Sequence, residues 1–480
     1  MTQHGILIDG QWLSHGQRIP DVNPSDTSDV IGDYNWGTVD DIAAAAAAAR
    51  AAQPMWEAVL PEARARMLRR VGDELLARAD ELGRLMAREQ GKTVREGRAE
   101  VVRSGETFHF FAGETVRNHG LFTQGLREGF NISVSHEPVG LVAIITPWNL
   151  PMSIPSWKIA PALAYGNTVL YKPSELTPGC AWALADMLQR AGLPAGVFNM
   201  VMGNGRELGQ ALIDHADAVS FTGSGPTGEI VVKASASQMK KVQAELGGKS
   251  GLVIDRDCNM ELAVEVAFQG AFHGTGQRCT ASSRIIVMDA VRDEFLDCIV
   301  QRMKAARIGH ALEDGTEIGP VVDARQLAKD LDYIDIARGE GAELLAGGER
   351  LSLPTEGFYL APALFVNTDN RMRINQEEVF GPVAGVISVH DLDEAIAVAN
   401  DVHYALSSGI CTDNLVAAEQ FRRRSKAAMV TINAPTAGLD FHVPFGGRAP
   451  SGYGAREQGV AAREFFTEYK SSYTNVSGHL

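Results

Sequence analysis

Cysteine is scarce in this chain: five residues, at 180, 258, 279, 298 and 411, with no CxxC pair. An odd number at wide spacings argues against a disulfide framework or a zinc site, and fits free thiols in a reducing compartment. Basic residues are outnumbered, 44 Lys and Arg against 59 Asp and Glu, for a net charge of −15. That balance argues against nucleic acid and against an anionic membrane surface as partners. No apolar run approaches the ~20 residues needed to cross a bilayer. The opening MTQHGILIDGQWL lacks the basic, apolar and small-residue regions of a signal peptide, so a cytoplasmic protein is expected. Internal repeats and low-complexity linkers are missing as well.

What the chain does have is α/β rhythm. Its 480 residues exceed a single core, and 45% hydrophobic, 21% charged and 49 glycines read as an ordinary soluble α/β protein of two to four domains. ILIDGQWL alternates as a short strand pair. TVDDIAAAAAAARAAQPMW begins a helix, with Thr38 as cap and Asp41 at the capping-box spacing. Amphipathic helix continues through PEARARMLRRVGDELLARADELGRLMAREQGK, with ionic pairs at i,i+4, and reads as scaffold.

From 139, strands (VGLVAIITPWN, NTVLYKPSE, VFNMVMG, AVSFTGS) alternate with helices (PSWKIAPALAYG, PGCAWALADMLQRAG). Repeated βα units imply a parallel, doubly wound sheet, with ligands at the carboxyl ends of its strands. A second series runs from 248 to 446, with SGLVIDRDC, SRIIVMDA, PALFVN and VAGVISVH as strands. The final FTEYKSSYTNV alternates as a strand far from either core. It needs an edge, in another subunit or in a small extra sheet with FNISVSHEPVG near 130.

GSGPTG at 223–228 matches GxGxxG, follows a strand and opens a helix, with Pro226 suited to the first turn. Glu245 lies 22 residues beyond Gly223, about where a dinucleotide fingerprint places its ribose acid. Yet this strand is the fourth of its series rather than the first. A phosphate or pyrophosphate at the helix start is the better reading, because free N–H groups and the helix dipole favour an anion there. GNGRELG at 203–209 reads equally as a plain turn or as a ligand contact. LGGKS at 246–250 is no P-loop, because position 243 is Gln.

Three residues stand apart. Cys279 sits among small and polar neighbours in FHGTGQRCTASSR, where a packing cysteine would more often have Leu, Val and Phe. Glu245, in ELGGKS, precedes two glycines that permit a sharp turn. Asn149, in PWNLP, ends a buried strand in a proline-stiffened loop. Singly, each suits a structural role as well. Together, a thiol, a carboxylate and an amide donor are what covalent catalysis followed by hydrolysis needs.

These motifs, with YKPSE, FTGS, EEVFGP and PFGG, occur in an order that resembles the NAD(P)-dependent aldehyde dehydrogenases, over residues 5 to 475. The resemblance implies two doubly wound parallel-sheet α/β domains plus a small β oligomerisation element. Residues 1–118 and 139–247 would bind NAD(P), and 248–446 would form the catalytic domain. Residues 119–138 and 467–480 would be oligomerisation strands, and 447–466 a returning segment.

By the family pattern, Cys279 attacks the aldehyde, Asn149 and the Cys279 N–H hold the oxyanion, and Glu245 activates water rather than binding ribose. Lys158 and Glu457 match proton-relay positions. Lys172 and Glu175 would meet the adenosine ribose, and Gly205 and Gly209 would join the cofactor site. Gly223 and Ser224 would meet the pyrophosphate, Glu378 and Phe380 the nicotinamide ribose, with Thr146 and Trp148 alongside. Glu175 should repel a 2′-phosphate, which favours NAD, with NADP possible. Pro226 stands where many relatives carry another residue.

The sequence is similar to the branch acting on α-ketoglutaric semialdehyde (2,5-dioxopentanoate). Succinic semialdehyde enzymes often carry Arg where Trp157 stands. Arg278 reads either as the replacement cation, which would also lower the thiol pKa, or as a solvent-facing or structural arginine; Arg284 reads as structural, and Phe441 and His442 would line the substrate mouth. Succinic semialdehyde or a broad range of aldehydes are the alternatives. The rival classes are a thiol hydrolase, a CoA-acylating enzyme or a non-catalytic protein on this fold. A homodimer or homotetramer is expected, with a small aldehyde as the other partner and no metal.

Overall fold

The computed structural model describes residues 3–438, 440–448 and 450–478. The outermost residues of two expected segments, 1–2 and 479–480, lie outside them. Two large sheets carry the described residues. The first is centred on five parallel strands, Leu141–Ile145, Thr168–Lys172, Phe198–Met200, Ala218–Thr222 and Lys241–Glu245. Across the sheet they run fifth, fourth, first, second, third. Their order reverses between Leu141–Ile145 and Ala218–Thr222, and the carboxyl ends at such a reversal are where sheets of this kind hold ligands. Thr146 to Asn149 leave from one of these strands, Gly223 and Ser224 from the other.

The strand pair read from ILIDGQWL is a hairpin with Ile6 opposite Leu13, and it extends this sheet antiparallel to Phe198–Met200. At the opposite edge Gly452–Tyr453 pairs with Ala244 and Glu245, so the returning chain completes the first sheet. Thr38 and Asp41 do form a capping box, on helix Val39–Ala58. The long amphipathic stretch breaks at Arg78 into Pro61–Ala77 and Ala79–Gln90. A second capping box, Thr93 with Glu96, starts helix Val94–Glu114.

The second sheet has six parallel strands in the order Ala363–Val366, Val383–Val389, Arg284–Met288, Gly251–Ile254, Ser407–Cys411 and Met429–Ile432. Glu343–Ala346 adds an antiparallel edge. Arg284 is indeed structural: its buried guanidinium donates to the carbonyls of Lys249, Val398 and Ala399.

The terminal strand Thr467–Asn475 pairs along its whole length with Phe130–Pro138 of the same chain, whose other edge takes Leu121–Gln124. The edge it needs is therefore within the chain, not in another subunit. Phe122, Tyr469 and Tyr473 remain exposed on this small sheet. No helix among the described residues is long and apolar enough to cross a membrane.

Candidate active site

The loop that carries Cys279 begins where helix Met260–Phe272 ends. Gly274, Thr275 and Gly276 follow with φ of 61°, 56° and 65°, three left-handed residues in succession that turn the chain back. A side chain at Gly276 would strike the Gly381 carbonyl. The loop is fastened from outside: Gly274 N–H donates to Glu96 Oε1 at 2.7 Å, and Gln277 Oε1 accepts from Val322 N–H at 2.9 Å. Cys279 thus borders a cavity of about 270 Å³ lined by helix Val94–Glu114 on one side and Ser153–Ala164 on another. Burial, with the negative charges of Glu378 and Glu245 adding to it, pushes its thiol up to about 12. Arg278 opposes this only weakly, so the resting group is a thiol.

Asn149 enters the same cavity. Its Nδ2 donates to the Gln277 carbonyl at 3.1 Å, which fixes the amide's orientation and leaves the second N–H for the cavity. Its own carbonyl accepts from Lys92 Nζ at 2.7 Å. Lys92 in turn pairs with Glu100 at 2.6 Å, both buried. Glu100 Oε1 then accepts the N–H groups of Met152 and Ser153 at 3.0 and 3.1 Å. Helix Ser153–Ala164 has no cap of its own, so this borrowed carboxylate caps it and suits its dipole. Lys92 lies within the stretch read as scaffold; that reading stops short, because Lys92 helps hold the Asn149 loop.

Glu245 ends its strand inside the protein. Its Oε2 accepts from Gly447 N–H at 2.8 Å, while Oε1 has no partner among the described residues. Burial first, then the charge of Glu457, holds its carboxyl well above the usual carboxylate range. Lys158 and Arg456 pull the other way. Lys158 is wholly buried, ion-paired with Glu457, and donates to Ser220 Oγ at 2.8 Å. Glu457 also accepts from Trp157 Nε1 at 2.6 Å. The structure therefore brings Cys279, Asn149 and Glu245 to one cavity, with Lys158 and Glu457 behind Glu245.

The other predicted residues fall along the carboxyl ends of the first sheet's strands. Thr146 Oγ1 meets the Tyr171 hydroxyl at 3.1 Å, and the Trp148 ring stands edge-on to Phe380 at 5.5 Å. Glu175 Oε1 accepts from Gly205 N–H at 2.9 Å and lies 3.4 Å from Lys172 Nζ, beside the start of helix Gly205–His215. A Cβ on Gly209 would meet nothing within 4 Å, so that helix presents a bare face. At helix Gly225–Ser237, the Ser224 hydroxyl turns to Thr227 Oγ1 at 3.0 Å instead of capping a backbone N–H, and Pro226 sits in the first turn. Glu378 Oε1 accepts from Gly248 N–H at 2.8 Å. A helix start with an uncapped end, an adjacent bare helix face and a carboxylate on either side fit a dinucleotide.

Of the residues expected to meet substrate, Trp157 and Arg278 line the cavity. Arg278 Nη2 donates to the Gln269 carbonyl at 2.5 Å, tying the loop to the end of the preceding helix, while Nε is buried without a partner among the described residues. Phe441 and His442 are not in the cavity lining. Phe441 packs on Phe110 at 5.9 Å, at the far end of helix Val94–Glu114, and His442 is exposed. Sequence reasoning missed Lys92, Glu100 and Arg103. The usable signal is helical spacing: Glu96, Ala99, Glu100 and Arg103 share one face of that helix, and all four line the cavity.

Comparison with known proteins agrees with this geometry. The sequence pattern of the "Aldehyde dehydrogenase family" matches residues 12–472. An alpha-ketoglutaric semialdehyde dehydrogenase of Bacillus subtilis is 38% identical, over 97% of each chain. An alpha-ketoglutarate semialdehyde dehydrogenase of Haloferax volcanii is 41% identical, over 97% of this chain and 98% of that one. Betaine aldehyde dehydrogenase from Staphylococcus aureus, solved in complex with NAD+, superposes with a TM-score of 0.96 at 33% identity, over 99% of this chain and 95% of that one. The chain belongs to the aldehyde dehydrogenase family.

Proposed function

We propose that this aldehyde dehydrogenase oxidises α-ketoglutaric semialdehyde to its acid with NAD, by way of a thioester on Cys279. The observation that carries the chemistry is the meeting of Cys279, Asn149 and Glu245 at one cavity. The thiol gives up its proton and attacks the aldehyde carbon. The oxygen that becomes charged is met by the Asn149 amide, which the Gln277 carbonyl already holds in position, and by the Cys279 N–H. NAD, when bound, supplies the hydride acceptor. Glu175 with Gly205, Ser224 at its helix start, and Glu378 would hold it. After oxidation the acyl group stays on sulfur, and Glu245 takes a proton from water to release it. The Glu457 carboxylate, held by Lys158, lies behind Glu245 to receive that proton.

A base poised to make hydroxide favours hydrolysis over transfer to CoA. The Glu175 carboxylate disfavours a 2′-phosphate, so NAD is the preferred cofactor over NADP. The names of the Bacillus and Haloferax relatives support the substrate. Arg278 borders the cavity beside the nucleophile, with Nη2 tied to the Gln269 carbonyl. The exposed apolar residues of the small sheet support a homodimer or homotetramer, and the free thiols suit the cytoplasm.

The test is nicotinamide reduction with α-ketoglutaric semialdehyde, succinic semialdehyde and pentanal, each with NAD and with NADP. A kcat/KM at least ~10-fold higher for the first substrate supports the assignment. A preference for pentanal leaves the chemistry standing and removes the substrate.

A further inference from the structure

Three cations border the cavity, Lys92, Arg103 and Arg278. Two are committed to the protein. Lys92 is held by Glu100 and the Asn149 carbonyl. Arg278 is turned into its own loop, with Nη2 on the Gln269 and Gly270 carbonyls and Nε buried behind it. Arg103 is different. It is half-buried on helix Val94–Glu114, and among the described residues no carboxylate lies within ion-pair distance of its guanidinium. One helical turn back, Ala99 and Glu100 share its face, and Glu100 is fully engaged with Lys92, Met152 and Ser153. The wall opposite is apolar: Leu150, Ile154 and Trp157. A half-buried arginine beside an apolar wall, with no carboxylate of its own, is free to pair with an incoming carboxylate.

We infer that Arg103 is the counter-ion for the substrate's distal carboxylate and sets the preference for oxo-acid aldehydes over neutral ones. This rests on the substrate proposed above. With the aldehyde carbon at Cys279, the methylenes lie along Leu150 and Ile154. The carboxylate then reaches Arg103, whose planar fork takes both oxygens.

The experiment is the ratio of kcat/KM for α-ketoglutaric semialdehyde over pentanal in the wild type, Arg103→Met and Arg103→Lys. A ratio does not depend on how much of each preparation is folded. In Arg103→Met the ratio is expected to fall at least ~30-fold, mainly through KM for the acid, the size expected for loss of a charge-assisted pair. Arg103→Lys should recover part of it. A wild type that prefers the acid, with Arg103→Met keeping that preference, overturns the role of Arg103 and leaves the substrate intact. Equal losses on both aldehydes overturn it too, by showing a positioning effect. A wild type without the preference removes the substrate assignment and this inference with it.

Discussion

Gly248 lies against the carbonyl oxygen of Cys279 with no room for a Cβ between them. The second glycine of ELGGKS is therefore what lets the segment after Glu245 press on the nucleophile's loop. Gly248→Ala is expected to push that loop aside and lower kcat/KM by ~100-fold, the cost of about 1 Å of misplacement at a reacting centre. Steady-state kinetics beside a melting curve checks this; activity within a few-fold of wild type would show that the loop tolerates the shift.

Lys158 and Glu457 form an ion pair removed from water, and Glu457 is otherwise held by Trp157 Nε1 at 2.6 Å. Lys158→Met strands a buried carboxylate, and the expected loss is about 3–5 kcal/mol of folding stability. Urea unfolding measures it directly. A change under about 1 kcal/mol would mean that Glu457 takes up a proton or finds another donor.

Much of this was legible in the sequence, for a physical reason. Cys279, Asn149 and Glu245 stand in short loops whose glycines and prolines announce sharp turns at strand ends, and chemistry concentrates there. The βα rhythm after 139 pointed to four of the first sheet's five parallel strands, each largely apolar and buried; Lys241–Glu245 was missed because KVQAE alternates polar residues into a buried strand. Glu100 and Arg103 were hidden because they belong to ordinary amphipathic helix, where a charge facing a cavity has the same spacing as one facing solvent, and Lys92 because it sits in the short connection between two such helices. Ser407–Cys411 was missed because SSGIC is strand only through its buried neighbours, Gly251–Ile254 and Met429–Ile432.

Both reactive groups must lose a proton to act, and burial holds both pKa values up: Cys279 to about 12, and Glu245 above its usual range. The active forms therefore grow as pH rises. Alkylation of Cys279 by iodoacetamide, without cofactor, should accelerate roughly tenfold per pH unit from 7 to 10. A plateau near pH 8 would place the thiol near its ordinary value and contradict its burial.

Removing residues 467–480 takes away the whole partner of Phe130–Pro138 and leaves that strand with an open edge. Light scattering should then report a smaller assembly than the full chain forms. An unchanged mass would place the subunit contact elsewhere on the surface.

The central claim is that the substrate is held on Cys279 and freed by Glu245. Its most direct test is mass spectrometry of Glu245→Gln after incubation with α-ketoglutaric semialdehyde and NAD. The account predicts an acyl adduct on the peptide bearing Cys279, with about one nicotinamide reduced per subunit and then almost no turnover. Continued turnover without an adduct would contradict it.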